Sequence, residues 1–161
     1  MHSCGRRSLG NVQALGVICD KSAIRYSVVG RESAAPEEAE LSVPAPRTDR
    51  GDQLSWLLQE TEDLLRRVGA DIIFVKKAGS GQFASSPERH EVEGVVQIAA
   101  HRCGVPCELK TTDQLRAAAR VPKGKGAYEE LLARPDVAAR PSKDKRERYL
   151  YAVTALASCG G

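Results

Sequence analysis

The segment Asp71–Ile72–Ile73–Phe74–Val75 limits the fold more than any other part of the chain. Its unbroken apolar run is too short for a helix, which needs about ten residues or more, and three of its side chains are β-branched. An apolar run without alternation is what a strand buried on both faces of a sheet carries. It stops abruptly at Lys76–Lys77. A strand hidden on both sides needs helices above and below it, so the chain belongs to the α/β class.

The rest of the sequence supplies those coverings in a definite order. Val12 to Cys19 is apolar, the turn-prone Asp20–Lys21–Ser22 follows, and Ala23 to Val29 alternates before closing at Gly30. Together these read as a hairpin. Ala39–Glu40–Leu41–Ser42–Val43 alternates again and runs into Pro44 and Pro46, which suits an edge strand because proline has no N–H for a ladder. Leu54, Leu57, Leu58, Thr61, Leu64, Leu65 and Val68 then recur at helical spacing. Asp52 is a candidate cap for this helix, and Gly69 stands where a left-handed C-cap belongs.

After the buried strand comes a loop rich in Gly and Ser, from Ala78 to Ser85, with Phe83 as a candidate platform for base stacking or a residue packed beneath the loop. Ser86–Pro87–Glu88 starts a second helix: the serine oxygen accepts from an orphan N–H, and proline at the first position loses no bond. Val92, Val95, Val96 and Ala99 form its apolar stripe and Gly104 ends it. Val105 to Leu109 reads as a fifth strand, and Thr112 as the cap of a short helix through Leu115, Ala118 and Ala119. Next comes a basic loop, Val121–Pro122–Lys123–Gly124–Lys125–Gly126, and then Tyr128 to Leu132. Ser142 opens a last helix with Tyr149, Leu150, Val153, Leu156 and Ala157 on one face.

Three strands in a meander followed by helix, strand, helix, strand and closing helices predict a mixed five-stranded sheet. Its first strand is central and helices lie on both faces. A length of 161 residues suits one domain, here 11–161, preceded by a polar leader over 1–10. In such sheets ligands gather outside the carboxyl ends of the central strands, which places the candidate site near Ile18 to Asp20 and Lys76 to Ala78.

Composition narrows the classes. Hydrophobic residues at 42% and charged residues at 28% are globular proportions. No apolar run is long enough to cross a bilayer and no secretory core follows Met1–Arg7, so a cytoplasmic location is expected. Five irregularly spaced cysteines do not make a disulfide framework. Cys103 and Cys107, near His90 and His101, have the atoms for zinc but not the spacing of paired ligands, so they are expected to be buried thiols. The net charge of +3 neither demands nor excludes nucleic acid.

Leu15–Gly16–Val17–Ile18, the hairpin after it, Asp71 to Lys76, and Arg148–Tyr149–Leu150–Tyr151–Ala152–Val153 together resemble the RuvC-type Holliday-junction resolvases of the RNase H-like superfamily. Within these, the resemblance is greater to a related family of small uncharacterised bacterial proteins. It runs from about Val12 to Ala157 and rests on pattern and order rather than on identical motifs. The resemblance implies acids at the end of the first strand, at the end of the fourth and in the last helix. In those enzymes such acids hold the Mg²⁺ ions of phosphodiester hydrolysis.

In this sequence the first-strand position falls on Ile18, the fourth-strand position on Lys76, and the last-helix positions near Lys145 and Arg148. An ammonium group only donates hydrogen bonds and repels a divalent cation, so no metal site is expected. Asp20 is the one acid expected in the pocket, as a candidate catalytic residue or simply as a hairpin-turn aspartate. Asp144 and Glu147 are expected to turn aside, since one residue rotates a helical side chain by about 100°.

Lys76, Lys77, Lys123, Lys125, Lys145 and Arg148 are candidate anion- or nucleic-acid-binding residues, with Lys143 beside them. Three readings follow. One is a catalytically degenerate RNase H/RuvC-like domain that binds nucleic acid or a protein partner through a basic crevice and needs no cofactor. Another is a Mg²⁺-dependent nuclease using Asp20 with displaced acids such as Glu91, Glu93, Asp144 or Glu147. The last is a non-enzymatic oligomerising protein, for instance a homodimer paired through an edge strand.

Overall fold

The computed structural model describes residues 11–32, 35–45, 48–79 and 86–160. The expected leader over 1–10, Pro46 and Phe83 lie outside the described residues.

The hairpin is β1 (Gln13–Cys19) with β2 (Ala23–Gly30), and β3 (Glu37–Ser42) continues the meander. Helix α1 (Arg50–Val68), strand β4 (Ile72–Lys76), helix α2 (Pro87–Arg102) and strand β5 (Cys107–Lys110) follow, and then α3 (Thr112–Ala118), α4 (Ala127–Leu132), α5 (Pro135–Ala138) and α6 (Lys143–Ser158). The sheet order is β3-β2-β1-β4-β5, with β1 central as expected. β1 is antiparallel to β2 and parallel to β4, and β4 is parallel to β5.

Local chemistry explains most boundaries. Gly69 at φ 64 closes α1, and Ser86 caps α2 with Pro87 in its first turn. Two caps sit earlier than the sequence suggested. Asp49, not Asp52, caps α1, and its carboxylate accepts from the Asp52 N–H at 2.9 Å. Thr111, not Thr112, caps α3, because Gln114 completes a reciprocal capping box with it. β3 begins at Glu37 rather than Ala39, and β5 spans Cys107–Lys110 rather than starting at Val105.

Each face of the sheet buries its own core. Leu15, Val17, Ile73 and Val75 meet α1 and α2, whereas Ala14, Ile72 and Phe74 meet α3 to α6. The outer strand β3 carries Glu37, Glu38 and Glu40 and is tied to α1 by a 2.7 Å ion pair between Glu37 and Arg67.

Gly16 sets the position of α6. A Cβ at Gly16 would lie 1.9 Å from the Arg148 carbonyl oxygen and 2.5 Å from the Ala152 nitrogen, so the helix backbone rests directly on β1. That contact brings the first half of α6 over the carboxyl ends of β1 and β4.

Candidate functional site

Where β1 and β4 end, Ile18 and Lys76 face α6. Ile18 is buried. Lys76 Nζ donates to Glu147 Oε2 at 2.5 Å, and the Tyr128 hydroxyl donates to the same oxygen at 2.6 Å. The lysine side chain is 26% exposed and the glutamate side chain 7%, so the pair sits half under the surface. Burial pushes the Tyr128 phenol well up, and the hydrogen bond and charge of Glu147 push it the same way. The tyrosine therefore stays a hydrogen-bond donor across ordinary pH, and Glu147 is held by a cation and a phenol together.

Glu147 was expected to turn aside and does not. The face of α6 that is buried includes Glu147, Arg148, Leu150, Tyr151, Ala152, Thr154 and Ala155, a broader arc than a single apolar stripe. The sheet lies beneath this arc and α3, α4 and α5 flank it, so neighbouring positions are buried together.

Arg148 was expected on an exposed anion-binding surface. The structure instead buries it: Nη1 donates to the carbonyls of Tyr26 and Ala39, each at 3.2 Å, and Nε pairs with Asp144 Oδ2 at 2.8 Å. Its Nη1 thus ties α6 to β2 and β3, while its Nε lies in an ion pair within α6. Asp144 does not turn aside either, since its other oxygen takes Arg25 Nε at 3.1 Å. Arg25 Nη1 in turn stands 3.6 Å from Asp20 Oδ2. Asp20 is exposed, its N–H donates to the Ala23 carbonyl at 2.9 Å across the hairpin turn, and its Oδ1 accepts from the Lys21 N–H at 2.7 Å.

Glu93 is the acid whose environment the sequence reading missed. It is buried on α2, and its Oε1 accepts from the Ala78 N–H at 2.6 Å, fixing the chain just past β4. Arg89 Nε lies 3.7 Å from Oε1 and His90 Nδ1 lies 3.8 Å from Oε2. Its place beside Val92 and Val96 on the apolar stripe was the available signal. Burial, with the Glu93 charge next in weight, pushes the buried Cys19 thiol well up. Glu91 pairs with Arg50 at 3.3 Å.

Among the described residues no three His, Cys, Asp or Glu side chains gather to hold a metal ion. The acids near the crevice are each engaged by a base or a backbone donor, and the side chains on the α6 side at the ends of β1 and β4 are Ile18 and Lys76, with Glu147 across from the lysine. An apolar side chain, a cation and one carboxylate already paired with that cation do not fit a hard divalent ion. His101 is exposed and Cys103 Sγ lies 3.9 Å from the Glu62 carbonyl oxygen, so these residues do not form a zinc centre with Cys107.

The remaining basic candidates sit on three segments: the chain after β4, the loop before α4 and the first turn of α6. Lys77 is exposed directly beyond Lys76. Tyr128, by touching Glu147, draws the preceding loop with the exposed Lys123 and Lys125 to the same end of α6. Lys123 is shared with α3, where Arg116 first and Lys123 after it hold the Asp113 carboxyl below its usual range. Lys145 is half-buried in the first turn of α6, and Lys143 is exposed.

Sheet order, crossover connections and the helix laid across β1 define an RNase H-like fold of the RuvC-related kind. The structure of RuvC from Thermus thermophilus is similar over 92% of this chain and 97% of that chain, with a TM-score of 0.69 at 15% identity. The T. thermophilus RuvC in complex with Holliday junction substrate gives 0.69 at 17% identity, covering 92% of this chain and 96% of that one. The yeast mitochondrial Holliday junction resolvase Ydc2 gives 0.52 at 12% identity over 92% of this chain and 79% of that chain. No protein-family model matches the chain, and no curated protein sequence does. Among the described residues no helix is long and apolar enough to cross a membrane.

Proposed function

We propose that this chain is a catalytically degenerate RNase H/RuvC-like domain that binds nucleic acid through phosphate contacts at the rim of its crevice. The observation that carries this reading is the Lys76–Glu147–Tyr128 cluster: the fourth-strand position reserved for an acid in metal-dependent resolvases bears an ammonium group, and it neutralises the nearest carboxylate. Lys77, Lys123, Lys125 and Lys145 are the residues left to meet a phosphate backbone, while Arg148 serves the fold. Lysines at such a rim release counterions whatever the bases are, so binding follows the shape of the backbone rather than its sequence. The fold shared with a RuvC seen on a Holliday junction makes branched DNA the first substrate to try.

The test is a fluorescence-anisotropy titration with a four-way DNA junction and a linear duplex across a salt series, paired with incubation in Mg²⁺ or Mn²⁺. Affinity is expected to fall steeply with salt, and Lys125→Ala with Lys145→Ala should each lower the slope by roughly one. The DNA is expected to stay intact. Cleavage lost on Glu147→Gln or Asp20→Asn would overturn the degenerate reading, and absence of binding at low salt would remove nucleic acid.

A further inference from the structure

On the α6 side of the sheet, beyond the crevice, a groove of about 720 Å³ runs beneath the edge strand β5. Phe74 forms its floor, with Ala119, Val153 and Ala157 among its walls. Lys110, Arg120 and Arg134 stand at its rim, against Glu108 as the acid among its lining residues. Lys110 Nζ lies 4.8 Å above the Phe74 ring and 3.8 Å from Glu108, and Arg134 reaches Asp136 at 3.5 Å. Lys110 and Arg134 thus have weak acidic partners close by, and Arg120 adds a further charge.

Arg120 stands out by its backbone. It follows the C-cap of α3 at φ 60, the left-handed position that Gly69 and Gly104 fill after α1 and α2. Arginine there costs about 1 kcal/mol that glycine would not. A helix stop alone would favour glycine, whereas arginine sets a guanidinium over the groove.

The edge of β5 supplies the other half of the site. The Pro106 and Lys110 carbonyls accept from Ile73 and Lys77 of the β4 side, so Cys107 and Leu109, between them in the alternation, turn their backbone groups outward. Among the described residues no strand lies beyond β5 in the sheet. A chain pairing with that edge would send alternate side chains down beside Glu108 and Lys110 into the groove.

We propose that this groove binds an extended acidic peptide carrying apolar residues, added as a further strand along β5. Its carboxylates meet Lys110, Arg120 and Arg134, and its apolar side chains rest on the small-residue walls. Because Phe74 is buried, with Lys110 over its ring, a nucleotide base would find no stacking surface.

The test is a titration of the ¹⁵N-labelled full chain with a short synthetic peptide alternating glutamate with leucine and phenylalanine, followed by amide shifts. The same peptide with lysine replacing glutamate, and adenosine monophosphate, serve as controls. Shifts at Cys107 to Lys110 and at Arg120 are expected with the acidic peptide alone. Arg120→Gly should weaken binding about tenfold, the loss of one charge-assisted contact, while leaving the melting temperature equal or higher. Lys145→Ala should leave peptide binding unchanged, which separates this site from the DNA-facing rim. Equal shifts with the nucleotide, shifts with the lysine peptide, absent shifts at β5, or unaltered affinity in Arg120→Gly would each overturn the proposal.

Discussion

Lys76 Nζ and Glu147 Oε2 lie 2.5 Å apart across the junction of β4 and α6. The tip of a strand and the first turns of the last helix are thus joined by a half-buried ion pair. Removing only the cation leaves a buried carboxylate with the Tyr128 phenol as its remaining donor. Lys76→Met should therefore destabilise the protein by about 2–3 kcal/mol, somewhat below the range for fully buried pairs because the lysine is partly exposed. Lys76→Met combined with Glu147→Leu should recover most of that loss. A denaturant double-mutant cycle reads the coupling, and additive losses would show that the pair contributes nothing as a pair.

Placing acids at the ends of β1 and β4 should change the affinity of the crevice for ions. With Glu147 left in place, Ile18→Asp combined with Lys76→Glu puts oxygen ligands on β1, β4 and α6. Calorimetry with Mn²⁺ should then show saturable binding in the double variant and none in the natural chain. Stoichiometric binding by the natural chain would mean that the crevice already holds a divalent ion.

Gly16→Ala should be among the most damaging small substitutions in the chain. The added methyl has no room against the Arg148 carbonyl oxygen and the Ala152 nitrogen, which are backbone atoms and cannot swing aside. A loss of about 3 kcal/mol is expected, at the upper end for overpacking, visible as a lowered thermal midpoint. An unchanged midpoint would mean that α6 does not rest on β1.

Alkaline pH should loosen the fold in a defined window. Burial, and after it the charge of Glu108, raises the Cys107 thiol from 9.0 to about 11. Its folded-state pKa lies above the unfolded one, so the folded chain holds the proton longer. The associated stability is complete below pH 9.0 and is lost as the pH climbs through about 11. Cys19, Tyr128 and Tyr151, whose pKa values burial also raises, add to the same trend. Urea midpoints should be flat from neutral pH to about 9 and fall beyond it, while a midpoint rising in that range would contradict the burial of these groups.

The architecture was legible because its strongest signals are local. The Ile72–Val75 run, the Asp20 turn and the cap residues Gly69 and Ser86 each act through neighbours in the chain. The site was legible only in part, because its partners are set by tertiary packing. Lys76 could be named from its position at the end of β4. Its meeting with Glu147 depends on how α6 seats against Gly16, which no helical wheel contains. Arg148 shows the same limit from the other side. Its charge suggested an exposed role, yet its reach to the Tyr26 and Ala39 carbonyls follows from the packing of α6 across β2.

The glutamates of β3 bear on how copies of this chain behave when crowded. Two such borders brought side by side would face carboxylate against carboxylate, so fibril-like growth from that margin is opposed at neutral pH. Turbidity of concentrated solutions in a variant with Glu38 and Glu40 replaced by glutamine would reveal how far this repulsion keeps them clear.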